Sequence, residues 1–275
     1  MAEPTGLIAK SGIELLTFGT PNGHKVSVFL EELKAAYGTE YTVQCINISK
    51  KTQKEPWYTA LNPNGRIPTI VDHNRGGFAV FEGIAILSYL ARHYDAEHRF
   101  SFPVDSDDYS VAEQWMAWQH GGLGPMIDSR PPHRQGQANH FLHAATETIP
   151  YPIQRYVGET ERLYGILDAR LADRDYVAGP GARGTYGIAD VSLLGWANLS
   201  TFGGLGLAAQ FPHVKAWLDR LLARPAVQRG LEIPGGPSRL SNAVLEGEGG
   251  EDAVEEAGRV VREAKEKYGY QYASP

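Results

Sequence analysis

The chain has 275 residues, 42% of them hydrophobic and 21% charged, a balance that fits a folded globular protein and argues against disorder over most of its length. Its net charge of -6 leaves no basic face to neutralise phosphates, so nucleic acid is a poor partner and a small ligand fits better. Residues 1–10 hold no apolar stretch of signal-peptide length, and no run approaches the ~20 apolar residues that span a bilayer. A cytoplasmic protein with no membrane association is therefore expected. Cys45 is the only cysteine. A disulfide within the chain is impossible, and thiol chemistry beyond that one group must arrive with a ligand.

In chain order, Ile13 to Phe18 alternates apolar and β-favouring residues and predicts a strand, punctuated by Gly19-Thr20-Pro21-Asn22-Gly23. Val26, Phe29, Leu30 and Leu33 then fall at i, i+3, i+4 and i+7, one face of a helix. Tyr41 to Ile48 predicts a second strand by its β-branched and aromatic content, one helix after the first, as in a βαβ unit with a parallel pair. Ile67 to Asp72 and Phe78 to Phe81 predict an antiparallel hairpin turning around Asn74 to Gly77, and Ile84 to Tyr94 a largely buried helix.

Beyond the acidic link Pro103 to Asp108, only helices are expected: Ser110 to His120, Ile153 to Leu171, Ile188 to Leu199 and His213 to Ala223. Past Pro234 the sequence is rich in glycine, and Glu251 to Lys267 could form one exposed, charged helix. The pattern predicts an α/β domain over residues 12–96, arranged βαβ-ββα, an all-α domain over 106–232, and a charged extension over 236–275.

Three stretches, Phe18 to Leu33, Leu61 to Asp72 and Phe81 to Ile86, closely resemble the glutathione transferase superfamily, in particular its nu-class bacterial members and a related fungal branch that includes a nitrogen-catabolite regulator. Gln135 to Phe141, Arg155-Tyr156, Glu161 to Tyr164, Tyr186 to Asp190 and Ala223 to Val227 match the same branch, so the resemblance runs from about Ile13 to Gly230. It implies a thioredoxin-like first domain, a helical second domain, a homodimer, and glutathione as co-substrate. The chain departs from the family pattern at an inserted, proline-containing stretch, Ile127 to Arg134. Gly83 stands where serine is usual, Gly187 where a capping serine or threonine is usual, and the tail after Pro234 is longer.

A thiol reacts as its thiolate, so the task is to depress the thiol pKa. Thr20 and Asn22 lead into the first helix, where backbone N–H groups and a partial positive charge favour an anion. Each could also donate from its side chain. The resemblance places both at the glutathione sulfur; read without it, Asn22 is a helix cap and Thr20 the end of a strand. Ile67-Pro68 is read, through the resemblance, as a cis peptide whose Ile67 backbone pairs with the ligand like a neighbouring strand, where composition alone suggests an edge-strand proline. Glu82 would accept from the γ-glutamyl amine and the Gly83 N–H would hold its carboxylate. Gln53 and Arg155 match ligand-contacting positions.

Trp115, Trp118, Met126, Phe141 and Tyr156 are expected around a small hydrophobic electrophile or a disulfide. His140 and His143 have metal-ligand spacing but no third ligand nearby, so no metal is expected. Cys45 reads as an inert core thiol. The expected function is a glutathione-dependent transferase with a role in detoxification. Its alternatives are a glutathione-dependent disulfide reductase or peroxidase, or a non-catalytic glutathione-fold regulator, although this chain lacks the long Asn/Gln-rich leader such a regulator would use.

Overall fold

The computed structural model describes residues 5–127, 138, 149–200, 205–235, 259, 262–263 and 266–267. They divide into two compact units, one built from Met1–Ser110 with Gly187–Gly195 and Leu222–Ser238, the other from Val111–Tyr186, Trp196–Leu221 and Arg239–Pro275.

The first unit is organised by a four-stranded sheet in the order β2-β1-β3-β4. Strand β1 (Ile13–Thr17) pairs parallel with β2 (Tyr41–Cys45) and antiparallel with β3 (Thr69–Asp72), which pairs antiparallel with β4 (Phe78–Phe81). The crossover from β1 to β2 is helix α1 (Pro21–Tyr37), and its ends are written in the sequence. Thr20 caps the start, its hydroxyl oxygen accepting from the Gly23 N–H at 3.1 Å, and Pro21 fills the first helical position, where a missing N–H does no harm. At the other end Gly38 adopts φ 71 and donates its N–H to the Lys34 carbonyl. The expected apolar face of α1 is fully buried at Val26, Phe29, Leu30 and Leu33.

Strands β1, β2 and β3 are shorter than the sequence suggests. The chain leaves the sheet after Thr17 and Cys45 and joins it only at Thr69; the Ile67-Pro68 peptide just before that strand is cis. Between β2 and β3 lies structure the periodicity did not show: two 3-10 turns (Ile48–Lys50, Thr52–Lys54) and the short helix α2 (Pro56–Thr59). Helix α3 (Gly83–Tyr94) follows β4 directly.

Helix α10 (Pro225–Leu231) closes the first unit against α1. The Ser27 hydroxyl donates to the Gly230 carbonyl at 2.6 Å, Arg224 forks onto the buried Glu32 carboxylate at 2.8 and 2.9 Å, and Arg229 reaches Glu31 at 2.6 Å. Bidentate arginine contacts of this kind fix an orientation as well as adding energy.

Helix α4 (Asp107–Trp118) passes into a five-residue π turn (Gln119–Leu123) and the short helix α5 (Gly124–Ile127). Helix α6 (Pro150–Leu171) carries the second unit's core, burying Ile153, Val157, Thr160, Tyr164, Leu167 and Leu171 as its period required, while Tyr156 is half-buried. The Tyr164 hydroxyl donates to the Ala197 carbonyl at 2.8 Å. Helix α7 (Ile188–Ala197) is followed by α8 (Leu207–Gln210) and by α9 (Pro212–Leu222), whose Val214, Trp217, Leu218 and Leu221 are all buried.

The lost capping side chain at Gly187 has a steric counterpart. A Cβ there would lie 2.6 Å from the Phe100 carbonyl oxygen, which also accepts from the Ile188 N–H at 2.8 Å. The other half of the cap survives, since the Gly187 N–H donates to Asp190 at 3.1 Å. Among the described residues no helix is long and apolar enough to cross a membrane. The inserted 128–134 stretch, Phe141, His140, His143 and most of the expected tail helix lie outside the described residues.

Candidate functional site

The sheet register explains why residues far apart in sequence belong together. Leu16 of β1 stands opposite Thr69 of β3, Thr69 stands opposite Phe81 of β4, and Thr17 is level with Cys45 of β2. Four segments therefore meet one end of the sheet: the turn carrying Thr20 and Asn22, the turns carrying Gln53, the cis Ile67-Pro68 step, and Glu82-Gly83.

Thr20, not Asn22, is the cap of α1; Asn22 occupies the second helical position and is half-buried. This corrects the reading of Asn22 as a cap and of Thr20 as a strand end. It also changes what the helix start can offer an anion. Pro21 has no N–H, the Gly23 N–H is given to the Thr20 hydroxyl, and the His24 N–H is given to the Thr20 carbonyl at 2.9 Å. The side chains of Thr20 and Asn22 can add to donation from this helix start. A threonine hydroxyl that accepts from Gly23 still has its own hydrogen to donate, and an asparagine amide has two.

The loop before the cis step is built by two residues that sequence reasoning passed over. The buried Tyr58 hydroxyl donates to the Arg66 carbonyl at 2.7 Å and lies 2.9 Å from the Thr69 hydroxyl. Asn62, also buried, donates to the same two oxygens at 2.8 and 3.0 Å. Ile67, Trp57 and Leu61 pack against the cluster of Leu16, Ile46 and Tyr58. The signal for Asn62 was the Asn-Pro-Asn-Gly run, which marks a turn but not a buried one.

Gly65, at φ 58, lets this loop touch the Gln53 turn: a Cβ would come within 2.9 Å of the Gln53 carbonyl oxygen. The Lys54 ammonium donates to the Asn64 carbonyl at 3.1 Å and ties the two further. Gln53 places its Nε2 3.5 Å from the Ile48 carbonyl, and its Oε1 is buried with no hydrogen-bond partner among the described residues. Such an acceptor is expensive to leave unmade and suits a site that a ligand completes.

Glu82 has the most unusual backbone at this end. It precedes α3 with φ 70 and ψ 122, a conformation that non-glycine residues avoid and that concentrates at functional sites. Its side chain does not cap the helix; it accepts instead from Asn64 Nδ2 at 3.3 Å. Gly83 opens the helix, and a Cβ there would meet Lys25 Cδ at 3.4 Å.

Lys25 went unrecognised in the sequence, although its spacing from Val28 and Phe29 put it on a buried stripe. It is 1% exposed. Burial draws its ammonium pKa down to about 7, and the Glu82 charge opposes that shift. The neighbouring His24 is 3% exposed, its Nε2 has no partner among the described residues, and burial lowers it to about 4, so it is neutral at physiological pH. Cys45 is half-buried at the end of β2, which corrects its reading as a core thiol.

Arg155 belongs to the second unit, where its exposed guanidinium pairs with Glu159 at 3.8 Å. Trp115 and Trp118 also lie there, edge to face at 5.2 Å, and the Arg170 guanidinium sits 5.7 Å from the Trp115 ring centroid. Met126, like Tyr156, is half-buried. No group of three or more potential metal ligands occurs among the described residues.

Residues 11–92 match the glutathione S-transferase N-terminal domain model, and residues 153–225 the C-terminal domain model. The chain is 38% identical over 223 residues to the disulfide-bond oxidoreductase YfcG of Escherichia coli, covering 80% of this chain and 94% of that one. It is 36% identical over 225 residues to glutathione S-transferase 1 of Schizosaccharomyces pombe, covering 77% and 91%. A glutathione transferase homologue from Lodderomyces elongisporus, solved with two glutathione molecules per subunit, superposes with a TM-score of 0.69 at 40% identity, over 82% of this chain and 99% of that one. With its thioredoxin-like sheet, its helical second unit and these matches along most of its length, the chain belongs to the glutathione S-transferase superfamily.

Proposed function

We propose that the protein binds glutathione at the end of the sheet where Thr20, Asn22, Gln53, Ile67, Pro68, Glu82 and Gly83 converge, and activates its thiol for transfer to an electrophile. The observation that carries this reading is the register that brings those four segments to one sheet end. In this reading the ligand lies extended across the cis step, its backbone paired with Ile67. Its γ-glutamyl amine meets Glu82, its γ-glutamyl carboxylate meets the Gly83 N–H, and its sulfur meets Thr20 and Asn22. Two side-chain donors on a resident anion hold the thiolate, and each pKa unit removed represents about 1.4 kcal/mol of preference for it. The thiolate sulfur then bonds to the electrophilic carbon, and the leaving group departs with the displaced electron pair.

A second reaction is favoured by the relative named a disulfide-bond oxidoreductase. There the thiolate attacks one sulfur of a disulfide and expels the other as a thiolate. A second glutathione then resolves the mixed disulfide, leaving glutathione disulfide and the reduced substrate. With Cys45 the only cysteine, both electrons come from glutathione.

Assays of the pure protein with glutathione and a chlorodinitrobenzene-type electrophile, a mixed disulfide or a hydroperoxide separate these reactions. Turnover of the electrophile alone supports the transferase reading, and turnover of the disulfide alone replaces it with the second. If millimolar glutathione or its disulfide produces no rise in melting temperature, the site reading fails, because a ligand at about 100 times its Kd stabilises by roughly 2.7 kcal/mol. The protein acts as a homodimer in this proposal, which a monomeric mass by light scattering at micromolar concentration overturns.

A further inference from the structure

A buried lysine needs a reason. Removing an ammonium from water is costly unless a partner compensates, and lysine is almost never fully buried without one. Lys25 is 1% exposed, on the second turn of α1, and its stem reaches the start of α3, where Cδ lies 3.4 Å from the position a Gly83 Cβ would take. The acidic charge that acts on its ammonium is Glu82. Glu82 itself sits at φ 70, a conformation that persists only where its surroundings over-determine it. One carboxylate oxygen is already bound by Asn64.

Resting on the glutathione reading above, we propose that Lys25 is the positioning residue of the γ-glutamyl end: its buried ammonium holds the Glu82 carboxylate in the orientation that receives the ligand's α-amino group. The ligand class this selects is an α-amino acid terminus carrying both charges. Its ammonium meets Glu82, and its carboxylate meets the start of α3. Glycine at 83 is compatible with the same arrangement, since the lysine stem passes beside that residue. Lys25 acts in this proposal through Glu82 at the amine end of the ligand, so its effect belongs in affinity and not in the chemical step.

The test is a double-mutant cycle in the full chain, combining Lys25→Met, which keeps a long apolar stem and removes the charge, with Glu82→Gln. Glutathione affinity is measured by calorimetry, and kcat and KM by steady-state kinetics. Lys25→Met is expected to raise Kd and KM about tenfold and to change kcat less than threefold. In the Glu82→Gln background the same change is expected to alter Kd less than twofold, because a residue acting through Glu82 has nothing left to hold. An unchanged Kd in Lys25→Met overturns the proposal, as does an equal loss in both backgrounds, which makes Lys25 independent of Glu82. So does a fall in kcat at constant KM. Should Lys25→Met not fold, the assigned Lys25 13Cε resonance decides: it is expected to move on adding glutathione to the unmutated protein and to stay fixed in Glu82→Gln, and no movement in the unmutated protein overturns the proposal. If the unmutated protein binds no glutathione, the functional reading fails and takes this proposal with it; the other outcomes overturn the role of Lys25 alone.

Discussion

Helices α1 and α3 both start at the same end of the sheet, yet they present very different N-termini. At α1 the Thr20 hydroxyl takes the Gly23 N–H, and Pro21 has none to give. At α3 the preceding residue is Glu82 in a left-handed conformation, with no side-chain cap, and a glycine comes first. A capped helix start is a structural joint, whereas an uncapped one keeps backbone N–H groups and the helix dipole available to a carboxylate. Under the proposed reading the contrast gives different tasks to two features that look alike in the sequence. In that proposal the sulfur end relies on the side chains of Thr20 and Asn22, and the γ-glutamyl end on backbone donors and Glu82.

The sharpest way to break this division is Asn22→Ala. Loss of one preorganised donor on a resident anion lowers kcat about 100-fold, on the order of 3 kcal/mol, with little change in glutathione KM. The acidic limb of the kcat/KM profile moves to higher pH, because a less stabilised thiolate forms at higher pH. Full activity with an unmoved profile returns the sulfur to Thr20 alone.

Glu82→Gln probes the other end. A hydrogen bond to a charged group contributes about 1.5–3 kcal/mol, so glutathione KM rises roughly tenfold to 100-fold while kcat at saturation changes far less. Equal losses in kcat and kcat/KM show instead that Glu82 acts in the transition state.

The rigidity of α1 carries a pH signature. His24 has its pKa lowered from 6.5 to about 4 by burial. Between those values the unfolded chain binds the proton more readily than the folded one. Stability is therefore retained above pH 6.5 and falls by about 1.4 kcal/mol per unit as pH drops toward 4. Urea unfolding across that range measures the slope, and His24→Gln, if folded, flattens it. An unchanged slope in that variant removes His24 as its source.

The smallest effect is expected from Gly83→Ser. Its Cβ fits at ordinary contact distance from Lys25, and its hydroxyl adds one donor at the start of α3. A neutral hydrogen bond of about 1 kcal/mol lowers glutathione KM roughly fivefold. A higher KM means that the lysine stem cannot yield even slightly there.

The amino-acid sequence by itself determined the two-part architecture, the parallel and antiparallel pairings, and the buried faces of α1, α6 and α9, because side-chain periodicity reports directly on which face meets the core. Thr-Pro before α1 and Gly38 after it are equally local signals. The turns and short helices between Cys45 and Thr69 were not legible, since pieces of three or four residues carry no period. Tertiary structure alone decided what Lys25, Tyr58, Asn62 and His24 do, because each looks like an ordinary polar residue until its neighbours are known. It also decided that Thr20 caps and Asn22 does not, and that Cys45 is half-buried. Above all, the register of β1, β3 and β4 brought Thr20, Ile67 and Glu82 to one sheet end: strand pairing joins residues by hydrogen bonds across space, whereas periodicity along the chain records only each segment's own faces.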